Sequence, residues 1–99
     1  MNKYLLYHTD EFEDWHNNLD TKTRDIIRFR LERLEIYGHF GHVRIIDGII
    51  ELKWGSGFRV YLCKLAPNKL MILYGGNKNG QDRDIQAAKR IKKREIENI

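Results

Sequence analysis

A chain of 99 residues is the size of one domain, and at 41% hydrophobic and 32% charged residues it reads as globular. No apolar run approaches the roughly 18–20 residues that a membrane span requires, which excludes a helical membrane protein. The formal charge of +4 is unevenly spread: residues 1–20 hold one Lys against five acids, and residues 78–94 hold seven Lys and Arg against two acids. Asymmetry of this kind points to a polyanion or an acidic protein as partner, although a basic helix is often only a solvated surface.

In chain order, residues 3–9 read as a first strand. Thr9 or Asp10 offers a side-chain oxygen as helix cap, and residues 10–19 follow as a short helix with acids in its first turn, where the helix dipole favours them. Phe12, Trp15 and Leu19 form its apolar face. A break at residues 20–23 recaps a second helix over 23–37, with Ile26, Ile27, Arg30, Leu31 and Leu34 on the buried side. Gly38 is placed to stop it. Residues 38–48 read as irregular, extended from Val43.

Three strands follow, over 49–54, 58–65 and 69–76, the last apolar on both sides and so covered or central. A polar loop leads from Asn77 to a final helix over 81–99, with a narrow stripe of Ile85, Ala88 and Ile91 and many cations late in the helix. The order is β-α-α-β-β-β-α: a single α+β domain over 1–99, with an antiparallel sheet packed against helices. The acidic first helix and the basic last one form separate surfaces.

One proline and no Ser/Gly-rich stretch argue against a linker, and no internal repeat is visible. The single Cys63 has no partner for an internal disulfide, and no Cys/His cluster has zinc spacing. The first 15 residues lack the pattern of a secretory signal. A cytoplasmic protein without metal or cofactor is expected.

The hairpin around Gly55, Ser56 and Gly57 carries the chemistry. If Trp54 and Phe58 close the turn, Ile50, Leu52, Trp54, Phe58, Val60 and Leu62 share the core face. The opposite face shows Glu51, Lys53, Arg59 and Tyr61, with Lys53 directly opposite Arg59. Facing like charges destabilise a strand pair. With Lys78 nearby, the two cations and the phenol suit a phosphate: Arg grips it with a planar fork and Lys offers a point charge. Tyr61 would stack on a base or move a proton. The same pattern also fits a solvated face with Glu51 neutralising its neighbours. His8, His16, His39 and His42 are scattered; His39 and His42 flank a Gly-containing loop and read as surface residues, metal ligands or proton carriers. Gly75 and Gly76 match no phosphate-loop fingerprint and read as a bend after the strand.

Glu51-Leu52-Lys53, then Gly55, Gly57, Arg59, Val60 and Tyr61, then Gly75, Gly76, Lys78, Gln81, Asp84, Ile85 and Ala88 form a distinctive series. Residues 45–95 resemble the RelE/ParE superfamily of bacterial type II toxins, within the branch of addiction-module killer proteins (HigB-like, phage Gp49-related). The resemblance implies a small α+β toxin sequestered by a cognate antitoxin, here a helix-turn-helix HigA-like protein. It implies a metal-independent, ribosome-dependent endoribonuclease acting on mRNA, in which the ribose 2′-OH attacks the adjacent phosphate. Arg59 takes the main phosphate position. Lys53 stands where the branch usually has Arg, keeping the charge without the bidentate grip, or serving in proton transfer. Tyr61 and Lys78 complete the set. Some relatives use a histidine near the C-terminus, and none lies there in this chain. The alternative activity within the superfamily is inhibition of DNA gyrase without nuclease chemistry; a third reading is an RNA- or partner-binding module without catalysis.

Overall fold

The computed structural model describes residues 2–97. Strand β1 (Leu5–His8) leads into helices α1 (Asp10–Asn17) and α2 (Thr21–Tyr37). Strands β2 (Val43–Ile46), β3 (Ile49–Lys53), β4 (Phe58–Ala66) and β5 (Lys69–Asn77) follow. One 3-10 turn (Lys78–Gly80) then opens into α3 (Gln81–Glu97). The expected α+β architecture is present. The last two residues assigned to the final helix from sequence lie outside the described residues.

The sheet has five strands in the order β1-β5-β4-β3-β2. Two details differ from the sequence reading. First, residues from Val43 are a full strand, so the order is β-α-α-β-β-β-β-α. Asp47 and Gly48 both have positive φ, 51° and 80°, the turn that closes a two-residue hairpin. It pairs Ile46 with Ile49 and Arg44 with Glu51. Second, the sheet is not wholly antiparallel. β1 pairs parallel with β5 because the helical hairpin carries the chain across the sheet, from one edge to the other.

Helices cover both faces. Ile27, Leu31 and Leu34 of α2 and Phe12 of α1 pack on Leu52, Val60, Leu62, Leu70 and Ile72. On the opposite face Ile85, Ala88 and Ile91 of α3 pack on Ile49, Tyr61, Cys63 and Leu73. Four consecutive residues of β4, Val60–Cys63, are therefore buried. Ile26, expected in the core, is 46% exposed. It lies about 100° around the helix from Ile27, and the buried stripe is centred on Ile27, Leu31 and Leu34.

The caps follow side-chain chemistry. Thr9 accepts from the Phe12 amide at 3.1 Å and donates its hydroxyl to the Leu73 carbonyl at 2.7 Å, which fixes α1 to the sheet. Asp20 caps α2 through the Thr23 amide, so the helix starts at Thr21, two residues before the sequence reading. Gly38 ends it at φ 75°.

The acidic and basic helices are not separate surfaces. Arg94 of α3 grips Glu11 of α1 with both guanidinium nitrogens, Nη2 at 3.0 Å from Oε1. The Arg94 hydrogen bond holds the Glu11 carboxyl below its ordinary value of 4.5. The link therefore stabilises the fold above that pH and loses its effect as pH falls through the lowered value. Glu11→Gln should lower the thermal midpoint slightly at pH 6 and by less at pH 3. Matched thermal melts at the two pH values check this.

Candidate active site

The hairpin of β3 and β4 has the expected register. The Trp54 amide donates to the Phe58 carbonyl and the Gly57 amide to the Trp54 carbonyl, both at 3.0 Å. Lys53 thus lies opposite Arg59, and Glu51 opposite Tyr61. Gly57 adopts φ 113°, a conformation open to glycine. Its carbonyl accepts from the Lys78 amide at 2.8 Å, and the Lys78 side chain would sit 3.6 Å from a Cβ placed on Gly57. Lys53, Arg59 and Lys78 are gathered at one end of the sheet by these backbone bonds.

The arginine avoids its neighbouring lysine by folding back on the turn. Arg59 Nη1 donates to the Trp54 carbonyl at 3.0 Å and the Phe58 carbonyl at 2.8 Å. Its Nε is buried and, among the described residues, unpartnered. Neither the Lys53 nor the Lys78 ammonium has a carboxylate within ion-pair distance among the described residues. The site is a cationic cluster whose charges are not neutralised at the surface.

Beneath it the expected open polar face is absent. α3 crosses this side of the sheet, so Glu51 and Tyr61 are both fully buried. Tyr61 offers no ring face on which a base could stack, which corrects that part of the sequence reading. Burial first, then the neighbouring Glu51 and Asp84 carboxylates, push its phenol well above the ordinary value, with Arg59 pulling the other way. The hydroxyl makes no hydrogen bond among the described residues.

Glu51 does not neutralise Lys53 and Arg59. One carboxylate oxygen accepts from Arg44 Nε at 3.1 Å and the other from Gln81 Nε2 at 2.8 Å. Arg44 is its cross-strand partner, and Gln81 opens α3. Gln81→Leu would leave a buried carboxylate oxygen without its donor, costing about 1–3 kcal/mol. Urea unfolding should show that loss, and Gln81→Glu should be worse because it places a second acid beside the first.

Asp84, one turn further along α3, is also buried. Burial raises its carboxyl above the ordinary aspartate value, opposed by Arg83, whose Nε lies 3.6 Å away. Asp84 lies directly over Gly76, where a Cβ would fall 2.0 Å from Oδ2. Gly75 serves the other face, since a Cβ there would meet the Trp15 ring at 2.1 Å. The glycine pair is therefore no bend after the strand. It lies within β5, paired with Arg59 and Val60, and each glycine admits one helix layer.

Arg30 falls by periodicity on the buried side of α2. It ties the site to that helix, donating to the carbonyls of Phe40, His42 and Lys53 and lying 4.3 Å over the Trp54 ring. The histidines do not converge. His39 Nδ1 meets Arg33, His16 meets the Arg24 carbonyl and His8 lies near Glu13. Among the described residues no group of three potential ligands could hold a metal ion, and no helix is long and apolar enough to cross a membrane.

Known structures share this fold. A chain of the Escherichia coli RelBE toxin–antitoxin complex superposes with a TM-score of 0.61 at 14% identity, over 75% of this chain and 95% of that one. A chain of the RelBE2 toxin–antitoxin complex from Mycobacterium tuberculosis gives 0.59 at 14% identity, over 76% and 98%. At such identity the likeness is one of fold: this is an α+β protein with the fold found in RelBE complexes. In sequence, the chain belongs to the same family as an uncharacterized protein of Haemophilus influenzae. The two are 38% identical over 82 residues, 79% of this chain and 82% of that protein. No protein-family model matches the chain.

Proposed function

We propose that this chain is the toxin of a type II toxin–antitoxin pair and that it cleaves mRNA on the ribosome, held inactive by a cognate antitoxin. The observation that carries the reading is the facing pair Lys53 and Arg59, with Lys78 beside the turn, left without carboxylate partners at one end of a RelE-like sheet. Facing like charges cost stability, and a phosphate between them removes that cost. Arg59 and Lys78 also belong to the longer motif series that resembles the HigB-like branch, in which Lys53 stands where Arg is usual.

In the reaction the ribose 2′-oxygen attacks the adjacent phosphorus as the 2′-OH gives its proton to solvent water. The bond from phosphorus to the 5′-oxygen breaks, and that oxygen takes a proton from water. The products are a 2′,3′-cyclic phosphate and a 5′-hydroxyl. Arg59 and Lys53 stabilise the charge that builds on the phosphoryl oxygens, and Lys78 holds a flanking phosphate. Tyr61 is a positioning residue, buried beneath α3 two residues along β4 from Arg59.

Primer extension on cellular mRNA after brief induction tests the reading, with wild type compared with Arg59→Ala. New cuts inside coding regions, lost in the variant, are expected. Growth arrest with intact mRNA would overturn it in favour of gyrase inhibition. No arrest and no cuts would leave a binding module.

A further inference from the structure

The face of α2 turned away from the sheet carries Ile26, Phe29, Arg33 and Tyr37, spaced three and four residues apart and so on one side of the helix. Phe29 and Tyr37 are 61% and 59% exposed, unusual for rings on a helix that also supplies the core. Arg33 lies over both, 5.8 Å from the Phe29 ring centre and 5.7 Å from that of Tyr37. His39 stacks on Tyr37 at 5.6 Å and meets Arg33 at 3.2 Å.

Phe29, Arg33 and His39 line a groove with Ile26, Arg30 and Trp54. Among its lining residues there is no carboxylate, and Asp25, one turn before Phe29, is bound to Arg28 at 3.1 Å. The groove lies on the α2 face, opposite the Lys53 and Arg59 side chains, and meets the same end of the hairpin, where Arg30 stacks on Trp54 and donates to the Lys53 carbonyl.

We infer that this groove binds the single-stranded RNA flanking the scissile phosphate, with a base stacked on Phe29 and the backbone against Arg33. The inference rests on the nuclease reading and extends it to a second contact region. Exposed rings interleaved with guanidinium groups are the equipment of single-strand binding: every base has a face to stack, and the cations track the phosphates. A protein segment covering the same stripe would have to bring its own carboxylate to Arg33, since the groove lining holds none. Phosphodiester supplies that charge along its whole length.

The test uses fluorescence anisotropy with a labelled single-stranded oligouridine, 2′-O-methylated throughout so that it cannot be cut. Phe29→Ala and Phe29→Leu should each weaken binding about tenfold, and Phe29→Tyr should bind as wild type. Arg33→Gln should weaken binding and flatten its salt dependence. With Phe29 exposed, the thermal midpoint should not move. Undiminished binding by Phe29→Ala and Phe29→Leu, with loss only in Arg59→Ala, would overturn the groove and leave the nuclease reading standing. No binding by wild type would overturn the groove, while the nuclease reading, which places the message on the ribosome, stands or falls on the primer extension. If the Phe29 variants keep RNA but release a partner protein, the groove is a protein-docking site and the inference fails.

Discussion

Replacing Arg59 with Ala should cut the rate of RNA cleavage by about 10²–10³-fold while leaving the fold intact. The two carbonyls that Arg59 Nη1 touches do not depend on it. The Trp54 carbonyl also accepts from the Gly57 amide, and the Phe58 carbonyl from the Trp54 amide. The hairpin therefore keeps its closing bonds, and the stability cost should be about 1 kcal/mol or less. Arg59→Lys should recover part of the rate, since charge remains and the planar fork is lost. Lys53→Arg should be active, because the larger fork suits the same phosphate. Single-turnover cleavage of a ribosome-bound message, beside urea unfolding of each variant, separates the two effects. A folded Arg59→Ala protein that cleaves at the wild-type rate would remove this hairpin from the mechanism.

The largest effect on stability is expected at the glycine pair. Gly75→Ala drives a methyl into the Trp15 ring, with three ring atoms within 2.4 Å of the new carbon. Trp15 is held between Phe12 and the sheet, so it cannot swing clear without opening the core. The cost should be about 3 kcal/mol or more, at or beyond the usual upper range for overpacking. Gly76→Ala meets Asp84 Oδ2 on the opposite face, and should cost about 1–3 kcal/mol. The two sites also differ in how they can be rescued. Asp84→Ala should offset most of the Gly76→Ala loss, because the clash is with that side chain alone, and it should do nothing for Gly75→Ala. A double-mutant cycle by urea unfolding reads the coupling directly. Additive losses for the Gly76 and Asp84 substitutions would mean that α3 does not lie on β5 as described.

Much of this was legible in the sequence because it depends on local chemistry. Period-3.6 and period-2 patterns located three helices and four of the five strands. The glycine-bounded turn and its flanking aromatic residues set the register that brings Lys53 opposite Arg59. The stretch read only as extended from Val43 is the full strand β2, and its signal is Asp47-Gly48 between apolar residues, a two-residue hairpin turn that places Arg44 opposite Glu51. The exposed Ile26 was not recoverable this way, since Ile26 and Ile27 have equal claim on the core until the sheet fixes the rotation of α2.

The sequence by itself determined the elements, the hairpin register and the clustering of basic residues, because each follows from contacts within a few residues along the chain. Only the tertiary structure decided what those residues face. Which side of the sheet α3 would cover is a long-range choice, and it turned an apparently open polar face into a buried layer holding Glu51, Tyr61 and Asp84. The same packing explains Gly75 and Gly76, whose missing side chains matter only once Trp15 and Asp84 press on opposite faces of β5. Arg30 likewise gains its role from three carbonyls 10 to 23 residues away, which come together only when α2 lies across the hairpin. Local propensity is written in single residues and their neighbours. Burial and charge pairing depend on what the folded chain brings from a distance.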